Sequence, residues 1–324
     1  MRRALVFATS ALDPLASLTQ RAEAAGIDRV WTTEYLQRDA VVRALHIALA
    51  TSTIEVGTGI TYAFTRRPRA LAATAADVRR LSGGRFALGL GTGSKGVRRW
   101  YGAAEAFDPP APALAEYTQT LRSEFAKIEE LADVGAPPVY GAGLMPVMTR
   151  IAVRATDGVL LHPLALVRTH LFDRLVPAIE KGAADRESPH FAAMWVITSI
   201  ADDEEEARFR ARKQIAFYLS TPSYAGCLEG TAWEKVATKV REGFEESKRT
   251  ATWGELATHV PESLVDEIAL VGTPARIREH AARLETELEG AGFDELVFQT
   301  VGADLDEDEV AANCARIADA LSVR

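Results

Sequence analysis

Eight short apolar runs recur along the chain, and nearly all are separated by segments with the apolar spacing of helices. Strands that alternate with helices pair in parallel through right-handed crossovers. Eight such units predict an α/β protein with a closed (β/α)8 TIM barrel rather than an open sheet. The predicted strands are 3–9, 29–36, 54–61, 85–91, 138–143, 158–162, 193–201 and 295–301.

Two connections between the predicted strands are much longer than the others. Residues 95–134 follow strand 4, and residues 203–259, a mostly helical region rich in charge and aromatic side chains, follow strand 7. We interpret both as insertions into the barrel. Neither resembles a low-complexity linker, so we expect a single domain over residues 1–324.

Composition excludes several classes of partner and site. The net charge of −8 argues against nucleic acid or an anionic membrane as the main partner. Cys227 and Cys314 are far apart and lack metal-ligand spacing, so we expect no metal site and no disulfide framework. A reducing cytoplasmic location fits this cysteine usage. No apolar run approaches the roughly 18 residues of a membrane span.

A glycine-rich stretch, 80–96, marks the end of predicted strand 4. Four glycines lie at or beyond this strand's end, and Lys95, Arg98 and Arg99 follow or flank the last of them. Glycine weakens a strand unless another backbone or a ligand comes close. In a TIM barrel the carboxyl ends of the strands carry the active site. The stretch therefore predicts a loop shaped around a flat, anionic ligand. The glycines are Gly89, Gly91, Gly93 and Gly96.

Five stretches carry a family resemblance: 26–34, 50–60, 81–93, 271–274 and 292–297. On these residues the chain resembles the luciferase-like monooxygenase superfamily, and within it the deazaflavin (coenzyme F420) dependent oxidoreductases. The resemblance implies a barrel that holds a flavin or deazaflavin at the carboxyl ends of its strands. One branch of the family moves a hydride between C5 of the deazaflavin and a substrate. The other uses reduced flavin and oxygen.

The resemblance also implies which residues contact the cofactor. A non-prolyl cis peptide between Gly59 and Ile60 would support the ring from behind, and the helix start after strand 5 would bind the phosphate. The plain alternatives are an ordinary turn for 92–95, a trans bulge for 59–60 and a close helix–strand contact for 141–144. The expected contacts are Gly59, Ile60, Thr92, Gly93, Ser94, Lys95, Gly141, Ala142, Gly143 and Leu144.

Other side chains are expected around the same mouth of the barrel. Local arginines would suit the phosphodiester and polyglutamate tail of coenzyme F420, and a solvated surface charge is the alternative for each of them. Tyr62 and Phe64 would wall the pocket, and the pair Trp100 and Tyr101 would cap a substrate. The arginines are Arg66, Arg67, Arg98 and Arg99.

Glu34, Tyr35 and His162 are the candidates for acid–base chemistry. Many family members have an acid followed by histidine at the end of strand 2, but here Tyr35 follows Glu34. Tyrosine, with an ordinary pKa of about 10, is a poor base at neutral pH. Glu34 either acts as an acid or base or only pairs with a nearby arginine. His162 is the best-placed histidine, and a plain loop histidine is the alternative.

These observations predict an oxidoreductase that uses coenzyme F420 to transfer a hydride to or from a small organic substrate. A monooxygenase that uses flavin mononucleotide (FMN), supplied in reduced form by a separate reductase, is one alternative. A non-catalytic flavin-binding protein is another, because the strand 2 histidine is missing. We expect a homodimer, with the alanine-rich helix after Pro68 as a candidate interface.

Overall fold

The computed structural model of the protein describes residues 1–184, 186–247 and 250–322. Its strands are β1 (Arg2–Phe7), β2 (Arg29–Thr32), β3 (Glu55–Tyr62), β4 (Phe86–Gly91), β5 (Val139–Gly143), β6 (Gly158–Leu161), β7 (Phe191–Ile200), β8 (Ala269–Gly272) and β9 (Glu295–Thr300). Its α-helices are α1 (Asp13–Ala24), α2 (Ala40–Ala50), α3 (Pro68–Leu81), α4 (Lys95–Trp100), α5 (Pro110–Phe125), α6 (Pro146–Ala155), α7 (Arg168–His170), α8 (Val176–Ala183), α9 (Glu204–Leu219), α10 (Pro222–Ala225), α11 (Glu234–Glu246), α12 (Trp253–Ala257), α13 (Glu262–Ile268), α14 (Pro274–Gly290) and α15 (Glu307–Ala320).

Eight parallel strands close into a barrel, as the sequence predicts. The order around the ring is β1, β2, β3, β4, β5, β6, β7 and β9, and β9 pairs back onto β1. The carboxyl ends of all eight strands therefore lie at one mouth, where the candidate residues follow strands 2 to 6. The TIM-barrel prediction is confirmed.

The prediction of eight strands omits β8. The first half of β7 pairs with β6, and its second half pairs with β8 on the same edge. β8 has four residues and follows α13 without a break. Such a short apolar run directly after a helix has no periodicity of its own, which is why the sequence did not reveal it.

The two long connections differ in what they contain. After β4, α5 packs between α3 and α6 as an ordinary barrel helix, so the added segment is α4 and the loop up to residue 109. After β7, α9 packs on β7, β8 and α12, and the chain from α9 to α13 forms a helical layer beside the mouth. None of the helices in the described ranges has the length and apolar character needed to span a bilayer.

The inside of the barrel is filled by aromatic and aliphatic side chains, with Trp31 and Trp195 at its centre. The end opposite the mouth is closed by Arg29, whose Nη1 donates to Glu295 Oε2 at 3.0 Å and whose Nε donates to Glu55 Oε2 at 2.9 Å. Trp31 Nε1 donates to Glu295 Oε1 at 2.7 Å, which ties the central indole to this network.

Candidate active site

Glycines alternate with larger residues at the ends of β3 and β4. The Gly59–Ile60 peptide is cis, as the resemblance implies, and the β3–β4 pairing shifts register between Thr58 and Thr61. A Cβ added to Gly59 would lie 2.8 Å from Trp195 Cζ2, and one added to Gly91 would collide with Ile60 Cδ1. A side chain at either position would force a neighbour to move, and Ile60 packs against the cluster that contains Trp195.

The loop after β4 keeps the shape that its glycines suggest. Gly93 has a φ of 62°, and a Cβ there would lie 2.9 Å from Phe64 Cε1. Ser94 caps α4, because its Oγ accepts from Val97 N at 3.2 Å. The exposed Lys95 lies 3.9 Å from Asp108 Oδ2, which is a weak, solvated pairing.

Arg98 is neither directed at an anion nor a solvated surface charge, the two readings that the sequence left open. It is 5% exposed, and its Nη1 donates to the carbonyl oxygens of Gly93 at 2.9 Å and Thr92 at 3.3 Å. The guanidinium therefore holds the loop from behind. Arg67 and Arg99 are exposed on the surface.

Three aromatic rings line one side of the mouth. Tyr62 and Phe64 are stacked with centroids 5.4 Å apart, and Tyr101 meets them edge-on at 6.2 and 5.6 Å. This wall stands directly beside Gly93. Trp100 is 61% exposed and is not part of it, so of the pair Trp100 and Tyr101 it is Tyr101 that joins the wall.

The segment 141–144, where β5 leads into α6, is held close to α6 by packing. A Cβ on Gly141 would lie 2.7 Å from Ala152 Cβ, and one on Gly143 would lie 2.7 Å from Thr149 Oγ1, both on α6. The close helix–strand contact therefore explains both glycines. Leu144 O accepts a hydrogen bond from His170 Nε2 at 2.7 Å, which fixes the turn into α6. What this segment, Ala142 included, offers a ligand is backbone N–H groups at the start of a helix.

Glu34 is 7% exposed and is bound by an arginine. Arg66 Nη1 donates to both of its carboxylate oxygens at 3.0 Å, and Arg66 Nη2 donates to Asp39 Oδ2 at 2.5 Å. Burial raises the pKa of Glu34, and the charge of Arg66 opposes the rise. Of the two readings the sequence left open, pairing with an arginine is present. The same contacts neutralise Arg66, so it is not free to bind an anion.

Tyr35 forms a two-residue bridge with Arg38. Its N–H donates to Arg38 O at 3.1 Å, and Arg38 N–H donates back to Tyr35 O at 2.8 Å. Burial raises the pKa of the Tyr35 phenol, although Arg38 opposes this. The phenol is therefore protonated at neutral pH. It can donate or accept a hydrogen bond, but it does not act as a base.

His162 lies at the mouth under two tyrosines of the second insertion. Its ring centroid lies 4.4 Å from that of Tyr218 and 4.7 Å from that of Tyr224. Crowding by protein atoms lowers the pKa of His162 to about 3, so the imidazole is neutral at physiological pH. Its Nδ1 accepts from Leu164 N at 3.2 Å, which leaves the proton on Nε2. His162 can thus offer a hydrogen-bond donor.

The sequence did not reveal four residues that the structure brings to this mouth. Tyr218 and Tyr224 come from the long insertion, and the only signal for them was its aromatic content. Gln299 Nε2 donates to Tyr218 Oη, and its only signal was a polar side chain directly after the apolar residues 296–298 of β9. Arg38 follows Tyr35 closely, and no feature of the sequence distinguished it from a surface charge.

Two surface grooves lie away from this mouth. One of about 340 Å³ runs between α13, β8 and α14, and one of about 590 Å³ lies beside the carboxyl end of α3. Neither is lined by a residue that the sequence predicted for the site. Across the described ranges, no group of three or more histidine, cysteine or acidic side chains is arranged to hold a metal ion.

Comparison with known proteins identifies the family. The sequence model of the luciferase-like monooxygenase family matches residues 3–295. The chain belongs to this family. It is 26% identical over 294 residues to the 5,10-methylenetetrahydromethanopterin reductase of Archaeoglobus fulgidus, covering 85% of this chain and 86% of the relative. The protein is therefore an oxidoreductase of the luciferase-like family, as its sequence predicts.

Solved structures share the fold over their whole length. The coenzyme F420 dependent tetrahydromethanopterin reductase from Methanopyrus kandleri superimposes with a TM-score of 0.73 at 22% identity, covering 98% of both chains. An F420-dependent secondary alcohol dehydrogenase in complex with an F420-acetone adduct gives a TM-score of 0.67 at 17% identity, covering 99% of this chain and 98% of the other. At these identities the likeness establishes the barrel architecture.

Proposed function

We propose that the protein is a coenzyme F420-dependent oxidoreductase that moves a hydride between C5 of the deazaflavin and a small organic substrate. The observation that carries the proposal is the cis bulge at Gly59–Ile60 beside Gly91, between the aromatic wall and the ends of the neighbouring strands. The names of the methanopterin reductase and of the alcohol dehydrogenase support the choice of cofactor.

The residues at the mouth fit this cofactor. Ile60 would lie under the ring, the backbone of 92–95 would line its edge, and the first N–H groups of α6 beyond 141–144 would bind its phosphate. Thr33 Oγ1, just beyond β2, is buried without a hydrogen-bond partner among the described residues, as expected beside a ligand. When bound, the deazaflavin accepts or donates the hydride, and the protein supplies position and polarity.

The protein's own side chains would hold the substrate and keep water out. The Nε2–H of His162 and the phenol of Tyr35 can donate hydrogen bonds to a substrate oxygen, which favours charge developing there. Tyr218 and Tyr224 cover this side of the mouth and limit access by water. The Glu34 carboxylate pairs with Arg66, and its backbone N–H donates to Ile60 O at 3.1 Å. Glu34 would therefore position the bulge rather than move a proton.

Titration of the purified protein with each cofactor tests the proposal. We expect quenching of F420 fluorescence with micromolar affinity, and much weaker binding of FMN. In Gly91→Ala the new methyl group must displace Ile60, so F420 should bind at least tenfold more weakly. Gly290→Ala, where no atom lies within 4 Å of the added methyl group, is the matched control. Equal F420 affinity in both variants would refute the placement of the ring.

An FMN-dependent monooxygenase is the second candidate, and the description of the family favours it. Tight binding of FMN, with oxygen consumption when the reduced flavin is supplied by a reductase, would establish it in place of our proposal. Binding of cofactor without hydride exchange to any carbonyl, alcohol or alkene would instead indicate a non-catalytic flavin-binding protein.

We also propose that the protein is a homodimer. Val42 and Leu49 on α2 are 55% and 64% exposed, and Leu81 at the end of the neighbouring α3 is 58% exposed. Large apolar side chains on adjacent helices are common at interfaces between subunits. A second copy of the same surface would cover them.

A further inference from the structure

Arg38 reaches across the top of the barrel between β1 and β2. Its Nη1 donates to the carbonyl oxygens of Ala8 and Thr9, and its guanidinium carbon lies 5.7 Å from the Tyr35 ring centroid. Its Nε is buried without a hydrogen-bond partner, and Nη2 makes no hydrogen bond to any described residue. Nε and Nη2 form one edge of the guanidinium, so a complete donor edge is unused.

Glu307 is the carboxylate whose charge acts on Arg38, but its oxygens already accept other hydrogen bonds. Glu307 accepts hydrogen bonds from Ser10 N at 2.9 Å and Ala11 N at 3.3 Å, and from the Thr9 hydroxyl. It shares its charge between Arg38 and Arg43, and Arg38 forms no ion pair within the described ranges. Burial lowers the pKa of Arg38, although the charge of Glu307 opposes this. The site therefore holds a poorly compensated cation.

Arg66, at the same mouth, is paired with Glu34 and Asp39. Arg98 bonds in the same way as Arg38, because its Nη1 donates to loop carbonyl oxygens and its Nε is buried without a partner among the described residues, but it lies behind the loop that follows β4. Unpartnered Nε atoms also occur in other arginines, such as Arg212 and Arg276, but those guanidinium groups pair with glutamates on the outer helices. Arg38 instead lies near Tyr35, Tyr62 and Tyr218, all of which influence its charge.

We propose that Arg38 binds a carboxylate of the substrate, so that the protein acts on small organic acids. An arginine edge with two parallel N–H donors matches the two oxygens of a carboxylate. A bound carboxylate would satisfy the unused donors and offset the buried charge. The inference rests on the proposed function only for the chemistry that follows binding, and it narrows the substrates to oxo, hydroxy or unsaturated acids.

Matched pairs of probes test the inference. Benzoate with benzamide, and crotonate with crotonamide, differ in charge but hardly in shape. Each would be titrated into the F420-loaded protein by calorimetry, and into the protein without cofactor by thermal shift. We expect each carboxylate to bind at least tenfold more tightly than its amide. The second arm separates the two proposals, because it reports on Arg38 even if F420 does not bind.

Three variants complete the experiment. Arg38→Gln should abolish the preference for carboxylates with unchanged F420 affinity, and Arg38→Lys, which keeps the charge but not the fork, should retain part of it. Arg67→Gln, which removes an exposed arginine near the same mouth, should leave the preference intact. Equal binding of acid and amide, no binding of any probe, or a preference that survives in Arg38→Gln would each overturn the inference.

Discussion

The closed end of the barrel offers a sharp test of how burial sets the strength of an ion pair. Arg29 is held by two carboxylates, of which Glu295 is fully buried and the Glu55 side chain is 38% exposed. Burial alone would lower the pKa of Arg29, but Glu295 and Glu55 outweigh it and raise the pKa. Burial also raises the pKa of Glu295, and Arg29 opposes this. Because arginine keeps its proton in proteins, we expect the pair to stay ionised at neutral pH.

Glu295→Gln should cost far more than Glu55→Gln. In Glu295→Gln the new NH2 group cannot accept the hydrogen bond from Arg29 Nη1 or from Trp31 Nε1, so one of these donors loses its partner. Removing one partner of a buried pair costs about 3 to 5 kcal/mol. Because Arg29 keeps Glu55, we expect the lower end, about 3 kcal/mol. Glu55→Gln should cost about 1 kcal/mol, as for a half-exposed pair.

Urea unfolding followed by far-ultraviolet circular dichroism would measure both changes, provided that the slope m stays constant. The double variant Arg29→Met with Glu295→Leu should recover only part of the stability lost in Glu295→Gln, because apolar side chains replace buried pairs well but Trp31 Nε1 would lose its acceptor. If Glu295→Gln costs no more than Glu55→Gln, burial does not decide the strength of this network and the reasoning is wrong.

Three further predictions concern the loops and the surface. Burial alone would raise the pKa of Glu23, but hydrogen bonds from 52–54 outweigh it and lower the pKa to about 2. A folded-state pKa below the unfolded value gives stability that is present above about pH 4.5 and is lost as the pH falls towards about 2. Glu23→Gln should remove this acid sensitivity and cost about 1 kcal/mol at neutral pH. The control Glu130→Gln should leave stability unchanged at both pH values. Identical acid unfolding curves for Glu23→Gln and the unmodified protein would contradict this prediction. Gly93→Ala, at a positive φ, should cost about 1 kcal/mol and weaken F420 binding several-fold; unchanged F420 affinity in titration would argue against contact by this loop. Leu49→Asp should shift the protein from dimer to monomer in light scattering, and an unchanged mass would exclude this face as the interface.

The barrel could be predicted because its signal is local. Short apolar runs alternate with helical spacing, and each run of five or more residues was found within a few positions of its observed bounds. β8 was missed because four apolar residues after a helix carry no pattern that separates them from the helix. β8 pairs with the part of the β7 edge that β6 leaves free, and only the closed sheet determines which part that is.

The site was predictable where it is made of backbone and not where it is made of charges. Glycine has few roles, so Gly59 and Gly91 signalled close approaches that the structure contains. An arginine has many partners within reach of its long side chain, and only the folded chain decides which one it meets. Arg66 and Arg98 were candidates for facing a ligand, but Arg66 pairs with Glu34 and Arg98 donates to loop carbonyl oxygens. Arg38 was overlooked.

The ionisable groups of the mouth share one property that constrains its chemistry. Burial moves the pKa of His162 down and that of Tyr35 up, and both shifts keep the group in its neutral form. Glu34 is held in an ion pair with Arg66. A site that had to move protons at neutral pH would need a group with a pKa near 7. This mouth instead offers two protonated hydrogen-bond donors, His162 and Tyr35, with Arg38 close to Tyr35. Under the proposed function, the hydride would leave an alkoxide on an oxo acid, and one of these donors or water would supply the proton, so no base is needed to start the reaction.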